Sequence, residues 1–233
     1  MEDYSIFQTT LTLIFSGNDD LYQIVRLSLF VSLSAVMVSA LVAVPIGAAL
    51  ALFDFFGRRI AIIIFNAFMS VPPVVIGLFV YVMLSRSGPL GVLELLFTPV
   101  AMIIAQSIMV FPIMVSLSHR QSSILVEEYR DYFCMINLKG WAALKTLVWE
   151  ARYQLITVFL AAFGRAISEV GAVMIVGGNI AYSTRVMTSA IALETSKGNI
   201  QFALALGLVL VFVAVIVALI AHCINLKLSA NAY

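Results

Sequence analysis

The 233-residue sequence predicts an all-α membrane protein with five transmembrane helices, its N-terminus outside and its C-terminus inside, on three observations. Composition comes first: 63% of residues are hydrophobic and 11% charged, against about 45–50% and about 25% in a soluble domain. With a mean hydropathy of +1.09, lipid rather than water must solvate much of the chain. The second observation is a set of long charge-poor runs, each exceeding the roughly 20 residues that cross a bilayer. The third is the placement of the 13 Lys and Arg residues. Eight fall on one side (Arg58, Arg59, Arg120, Arg130, Lys139, Lys145, Arg152, Lys227) and four on the other (Arg26, Arg86, Arg185, Lys197), with Arg165 in the membrane, which sets the eight inside. A net charge of +1 gives no basic field, so no nucleic-acid partner is expected.

The opening residues carry no Lys or Arg before Arg26 and no cleavable apolar core, so a signal peptide is not expected. Tyr4 to Phe15 is too short to cross and is expected along the interface, before a polar break at 16–20. The spans follow at 27–53, 60–85, 96–118, 153–176 and 201–223, with an inside loop at 119–152, all within one transmembrane domain covering 1–233. Ala35, Ser39, Ala43, Gly47 and Ala51 recur every fourth residue in the first span, and Gly164, Ser168 and Ala172 in the fourth. Such stripes serve close helix packing, within one subunit or between two. Pro45, Pro72-Pro73 and Pro112 lie inside spans and are expected to kink them. Cys134 and Cys223 both fall near inside, basic segments and are expected as free thiols.

The polar residues inside the spans are the candidates for a route through the membrane. Asn66, Ser70, Gln106, Ser107 and Ser168 line a wet path or bond one helix to another. Arg165 and Glu169 lie one helical turn apart, and a rise of about 1.5 Å per residue from Tyr153 puts Arg165 roughly 18 Å into the span. Since a lone charge at that depth is costly, the two are expected to pair, as a structural unit or as a polar point on the path.

The inside loop mixes charges with Tyr129, Tyr132, Phe133, Leu138, Trp141 and Leu144, a pattern that packs on something. Here the chain resembles the permease subunit of a type I ABC importer, whose loop carries Glu-Ala-Ala, three residues, then Gly. Asp131-Tyr132-Phe133 stand in place of Glu-Ala-Ala, and Asn137 in place of the Gly. Asn is the best non-Gly residue for the left-handed turn implied there. Two further segments, SVPPVVIGLFVYVMLSRSGPLG and above all GRAISEVGAVMIVGGNI, resemble the oxyanion branch, most of all the tungstate transporter permease.

That resemblance implies a homodimer of this chain in a prokaryotic inner membrane, two ATP-binding subunits and an extracytoplasmic oxyanion-binding protein. It makes the loop a coupling element, with Glu128, Asp131, Tyr132, Phe133, Asn137, Leu138, Gly140 and Trp141 facing the ATPase. The chain lacks the G-x-x-x-x-G-K-[ST] phosphate cradle, so it is expected to be no enzyme, with no cofactor of its own and ATP and Mg on the partner. After the fourth span, Val186, Ala190, Leu193 and Ser196 fit one helix face; Arg185, Val186 and Lys197 are candidate contacts for the binding protein. Molybdate and sulfate remain alternatives to tungstate.

Among other classes, an ion-coupled secondary transporter would usually show an inverted repeat, and five spans do not halve. A channel would need an acidic ring or a carbonyl filter, and neither pattern occurs. His119 and His222 fall at span ends without a second ligand at metal spacing, so no catalytic residue and no metal site are expected.

Overall fold

The computed structural model describes residues 18–135 and 137–230; the segment Tyr4 to Phe15 lies outside them. Among the described residues there are ten α-helices and no strand. In chain order they are α1 (Asp19–Leu52), α2 (Arg58–Phe68), α3 (Pro73–Leu84), α4 (Pro99–Glu128), α5 (Arg130–Met135), α6 (Gly140–Glu150), α7 (Arg152–Ile167), α8 (Gly171–Gly177), α9 (Met187–Ser196) and α10 (Ile200–Ala230). Three of them, α1, α4 and α10, are long and apolar enough to cross a membrane, and the number rises to five if the bent pairs α2–α3 and α7–α8 each count as one span.

The helix ends explain where the expected spans start and stop. The polar break before the first span is a cap: the Asn18 side chain accepts from the Leu21 N–H at 3.1 Å, and Asp19 and Asp20 occupy the first turn, where acids suit the helix dipole. At the other end of α1 the Arg58 guanidinium donates to the carbonyls of Leu50 and Ala51, which have no intrahelical partner. Pro45 and Pro112 are held inside continuous helices. Pro72-Pro73 instead ends one helix and starts the next, because neither can donate the bond that would carry α2 onward; Pro73 then occupies the first position of α3. The second expected span is therefore two helices.

The fourth expected span is also broken, at 168–170, between α7 and α8. No proline causes this. The Glu169 N–H turns back to the Ala166 carbonyl at 3.2 Å, and its carboxylate takes the N–H groups at the start of α8. A side chain able to satisfy the freed donors makes the interruption stable inside an apolar segment.

The contacts divide the chain into two units. The first comprises residues up to 35, 72–106 and 164–217; its core joins Val31, Val80, Leu84, Met102, Val173 and Val176. Gly77 lets α3 and α8 approach closely, since a Cβ there would meet the Ala172 Cα at 2.6 Å. The second comprises 36–71, 107–163 and the chain from 218 on; its core joins Ala48, Leu125, Leu144, Leu147, Ala151 and Leu155. Within it Gly47 packs against Ser118, where a Cβ would come within 2.6 Å of the serine Cβ.

The first small-residue stripe is therefore an internal packing face: Ala35, Ser39, Ala43, Gly47 and Ala51 are all buried in the single chain. The stripe of the fourth span is different. Ala172 is buried, while Gly164 faces open space and Ser168 is exposed. Both cysteines are free and exposed.

Candidate functional site: an ion pair at a helix break and a loop with a left-handed turn

In the first unit, Arg165 on the last turn of α7 donates to Glu169 Oε2 at 2.8 Å. Glu169 Oε1 accepts from the N–H of Gly171 at 3.0 Å and of Ala172 at 3.4 Å. Both carboxylate oxygens are thus used, and the side chain is only 7% exposed; that of Arg165 is 40% exposed. The asymmetry matters chemically. The acid is a fully engaged internal group, whereas the guanidinium keeps an open edge.

Two more predicted residues meet at this break. Gln106 donates through Nε2 to the Ala166 carbonyl at 3.0 Å, and the Ser168 hydroxyl donates to the Arg165 carbonyl at 3.1 Å. The Thr188 hydroxyl donates to the Glu169 carbonyl at 2.8 Å, which ties α9 to the same point. Sequence reasoning missed Thr188 and Gly171. The acid two residues before a helix-starting glycine was the readable sign.

The remaining path candidates lie in the second unit. Asn66 is exposed on α2 and lines a 520 Å³ cavity with Ser116, His119, Arg120 and Glu127. Ser70 is exposed just beyond α2. The Ser107 carbonyl accepts from the Ser39 hydroxyl at 2.8 Å, a helix-to-helix bond between α1 and α4.

The loop between α4 and α7 is mostly helical. After α5 the N–H of Asn137 donates to the Cys134 carbonyl and that of Leu138 to the Phe133 carbonyl, a Schellman motif, with Asn137 at φ 51° in its left-handed position. Gly140, at φ 62°, then starts α6. Glu128, Asp131, Tyr132 and Trp141 are exposed and Leu138 is half-buried. Phe133 is buried and stacks with Tyr129 at 6.2 Å between ring centroids, so it anchors the loop and does not present a surface.

In the first unit, the segment after α8 is held by side-chain bonds. Thr184 donates to the Gly177 carbonyl and accepts from the Ile180 N–H, and Ser189 joins Asn179 at 2.9 Å. Asn179 and Tyr182 take positive φ, 51° and 62°. Contrary to the expected contact role, Val186 is buried in the apolar core at 5% exposure, because its position just before α9 turns it inward. Ala190 is buried too and Leu193 half-buried, so that helix face packs inward over most of its length and is exposed only at Ser196. Arg185 is partly exposed and lines a 260 Å³ cavity with Asp20, Tyr182 and Glu194. Lys197 donates to Glu194 Oε1 at 2.8 Å, and Asn199 to Oε2 at 3.0 Å. The Lys197 bond, ahead of the Asn199 bond and the positive charges of Lys197 and Arg185, holds the Glu194 carboxyl below its ordinary range against the opposing effect of burial.

No protein-family profile matches the chain. It is 45% identical over 195 residues to a protein of Haloferax volcanii described as a probable anion ABC transporter permease, covering 82% of this chain and 84% of that one. It is 39% identical over 208 residues to the tungstate uptake system permease protein TupB of Peptoclostridium acidaminophilum, covering 89% and 91%. The TupB of Campylobacter jejuni is 36% identical over 219 residues, covering 93% and 90%. With 36–45% identity over 82–93% of its length, the chain belongs to the ABC transporter permeases, in the branch of the anion and tungstate uptake systems.

Proposed function

We propose that the chain, as one transmembrane domain, is the tungstate-conducting subunit of an ATP-driven importer. It crosses a prokaryotic inner membrane five times as a homodimer, with α2–α3 and α7–α8 as broken spans and the N-terminus outside. The similarity to two tungstate uptake permeases over about nine-tenths of their length carries the substrate assignment. The Lys and Arg count supports the orientation. Two open faces support the dimer: α2 buries no residue in the single chain, and Gly164 and Ser168 leave a flat strip on α7 and the break beyond it.

In this reading the α5–α6 loop receives the motion of a separate ATPase that holds ATP and Mg, and this chain does no chemistry of its own. Asp131 and Tyr132 supply the contact; Phe133 and the left-handed Asn137 hold its shape. Arg185 and Lys197, beside α9, are the residues offered to the extracytoplasmic binding protein. An arginine facing a divalent oxyanion in a dry path would bind it too tightly to release it. Glu169 therefore blunts the charge of Arg165 while the helix break keeps α7 and α8 in register.

The test is uptake of tungstate into vesicles holding this chain with its ATPase and binding protein. ATP-dependent accumulation that excess molybdate and sulfate fail to suppress is expected. Accumulation driven by an ion gradient without the ATPase, or uptake of sulfate in preference, would overturn the reading.

A further inference from the structure

A 900 Å³ groove in the second unit takes in Trp141, expected from the sequence to face the ATPase, and no other residue given a role above. Its deep wall is apolar, built from Ala40, Val44 and Pro45 of α1 and Leu155, Ile156 and Phe159 of α7. These residues belong to runs long enough to cross a membrane, and Ala40 lies roughly 20 Å along the helix from Asp54 where the charges resume. The mouth has a different chemistry. Trp141, Lys145 and Trp149 recur every fourth residue on α6 and so share one face, and Arg152 follows at the start of α7. The Arg152 guanidinium stands 5.0 Å from the Trp149 ring and 4.7 Å from the Tyr153 ring, and its Nη1 donates to the Trp149 carbonyl at 2.7 Å. That fixes the cation while leaving its other edge open. No acidic side chain lines the groove, and among the described residues neither Lys145 nor Arg152 makes an ion pair.

We infer that this groove is a binding site for an anionic phospholipid, an acyl chain lying along α1 and α7 and the headgroup phosphate held between Lys145 and Arg152. The charge pattern selects this occupant. A second copy of the chain or an ATPase seated there would have to bring acids to two cations across an otherwise apolar wall, whereas a phosphate above a hydrocarbon tail matches both parts at once. The two tryptophans, 76% and 66% exposed, are amphipathic rings of the kind that settle at the headgroup level. Anchored this way, α6 has its exposed face on lipid and its buried face, Ala143, Leu144 and Leu147, on the core.

The molecule supplies its own probe, because Trp141 and Trp149 are the two tryptophans of the whole sequence. The full-length chain is reconstituted in vesicles of phosphatidylcholine and phosphatidylglycerol at fixed composition, with bromine on the acyl chains of one lipid at a time. Brominated phosphatidylglycerol should quench the tryptophans as though enriched on the order of ten-fold over brominated phosphatidylcholine, as two cations near the headgroup imply. Lys145→Gln with Arg152→Gln should abolish the preference, and high salt on the unaltered chain should weaken it, a control that does not depend on the variant folding. Equal quenching by the two lipids overturns the inference. So does an absence of quenching, which would mean that protein fills the groove, and so does a preference that survives both the double variant and high salt.

Discussion

The two units hold together by different means. In the first, polar groups buried among apolar helices are bonded internally across long sequence separations: Gln106 to Ala166, Thr188 to Glu169, Met187 to Ser28, Asn179 to Ser189. In the second, the core is almost wholly apolar, the buried hydroxyls of Ser116, Ser118 and Ser122 lack a hydrogen-bond partner, and large faces stay open, including much of α2 and the Trp141–Trp149 face. The difference is one of degree, since Gln106 Oε1 and Arg185 Nε in the first unit also lack a partner and Ser39 bonds to Ser107 in the second. A unit that leaves faces and donors open depends on neighbours, be they lipid, a second copy or an ATPase.

The largest test of this contrast removes an internal partner from the first unit. Glu169→Ala strips Arg165 of its counter-charge and the start of α8 of its acceptor, an expected loss of about 3 kcal/mol, read as lower yield and melting temperature of detergent-solubilised protein. Glu169→Gln with Arg165→Leu keeps an oxygen for the Gly171 N–H and removes the cation, so it should recover most of that stability. A double variant as unstable as the single one would show that the ion pair itself, and not the carboxylate's hold on α8, sustains the break.

A pair of glycine substitutions sharpens the comparison of closed and open faces. Gly77→Ala pushes a methyl group against the Ala172 backbone and should cost about 1–3 kcal/mol in the same melting measurement. A Cβ at Gly164 meets nothing within 4 Å in the single chain, so Gly164→Leu should not lower the monomer's melting but should lower the dimer fraction in cross-linking. Normal dimerisation of Gly164→Leu would take that strip out of the seam.

Asn137→Val tests the loop. A β-branched residue at φ 51° costs about 1–2 kcal/mol locally, which should reduce coupled uptake without reducing the amount of protein in the membrane; Asn137→Gly should behave as the native chain. Uptake by Asn137→Val equal to the native rate would remove the turn from the coupling path.

The smallest expected effect is a pH dependence. Because Lys197 and its neighbours depress the Glu194 pKa, this carboxylate contributes stability that is present above its unfolded pKa and is lost as pH falls through the lower, folded value. Amide exchange in 187–199 should therefore rise on acidification below the ordinary carboxylate range, and Glu194→Gln should flatten that rise. Exchange that stays constant through the same range would mean that the bond does not hold α9.

Much of this was legible in the amino-acid sequence alone. Charge-free runs of more than 20 residues mark where the chain must be helical in lipid, since only a helix satisfies its own backbone there. The Arg165–Glu169 pair follows from the cost of a lone charge, and the left-handed turn at Asn137 from the resemblance that sets this Asn where the permease loop carries Gly. Tertiary structure decided the rest. Whether a small-residue stripe faces inward, as Ala35 to Ala51 does, or outward, as at Gly164, depends on what packs opposite, and periodicity is the same in both cases. The break at 168–170 arises because a carboxylate reaches two backbone donors beyond it, an arrangement no hydropathy pattern records. Val186 reads as one position on an amphipathic face, yet it is buried because the chain bonds before α9 turn it into the core. Local physics sets which segments are helical and which charges must pair; only the packed chain sets which side of each helix is left for a partner.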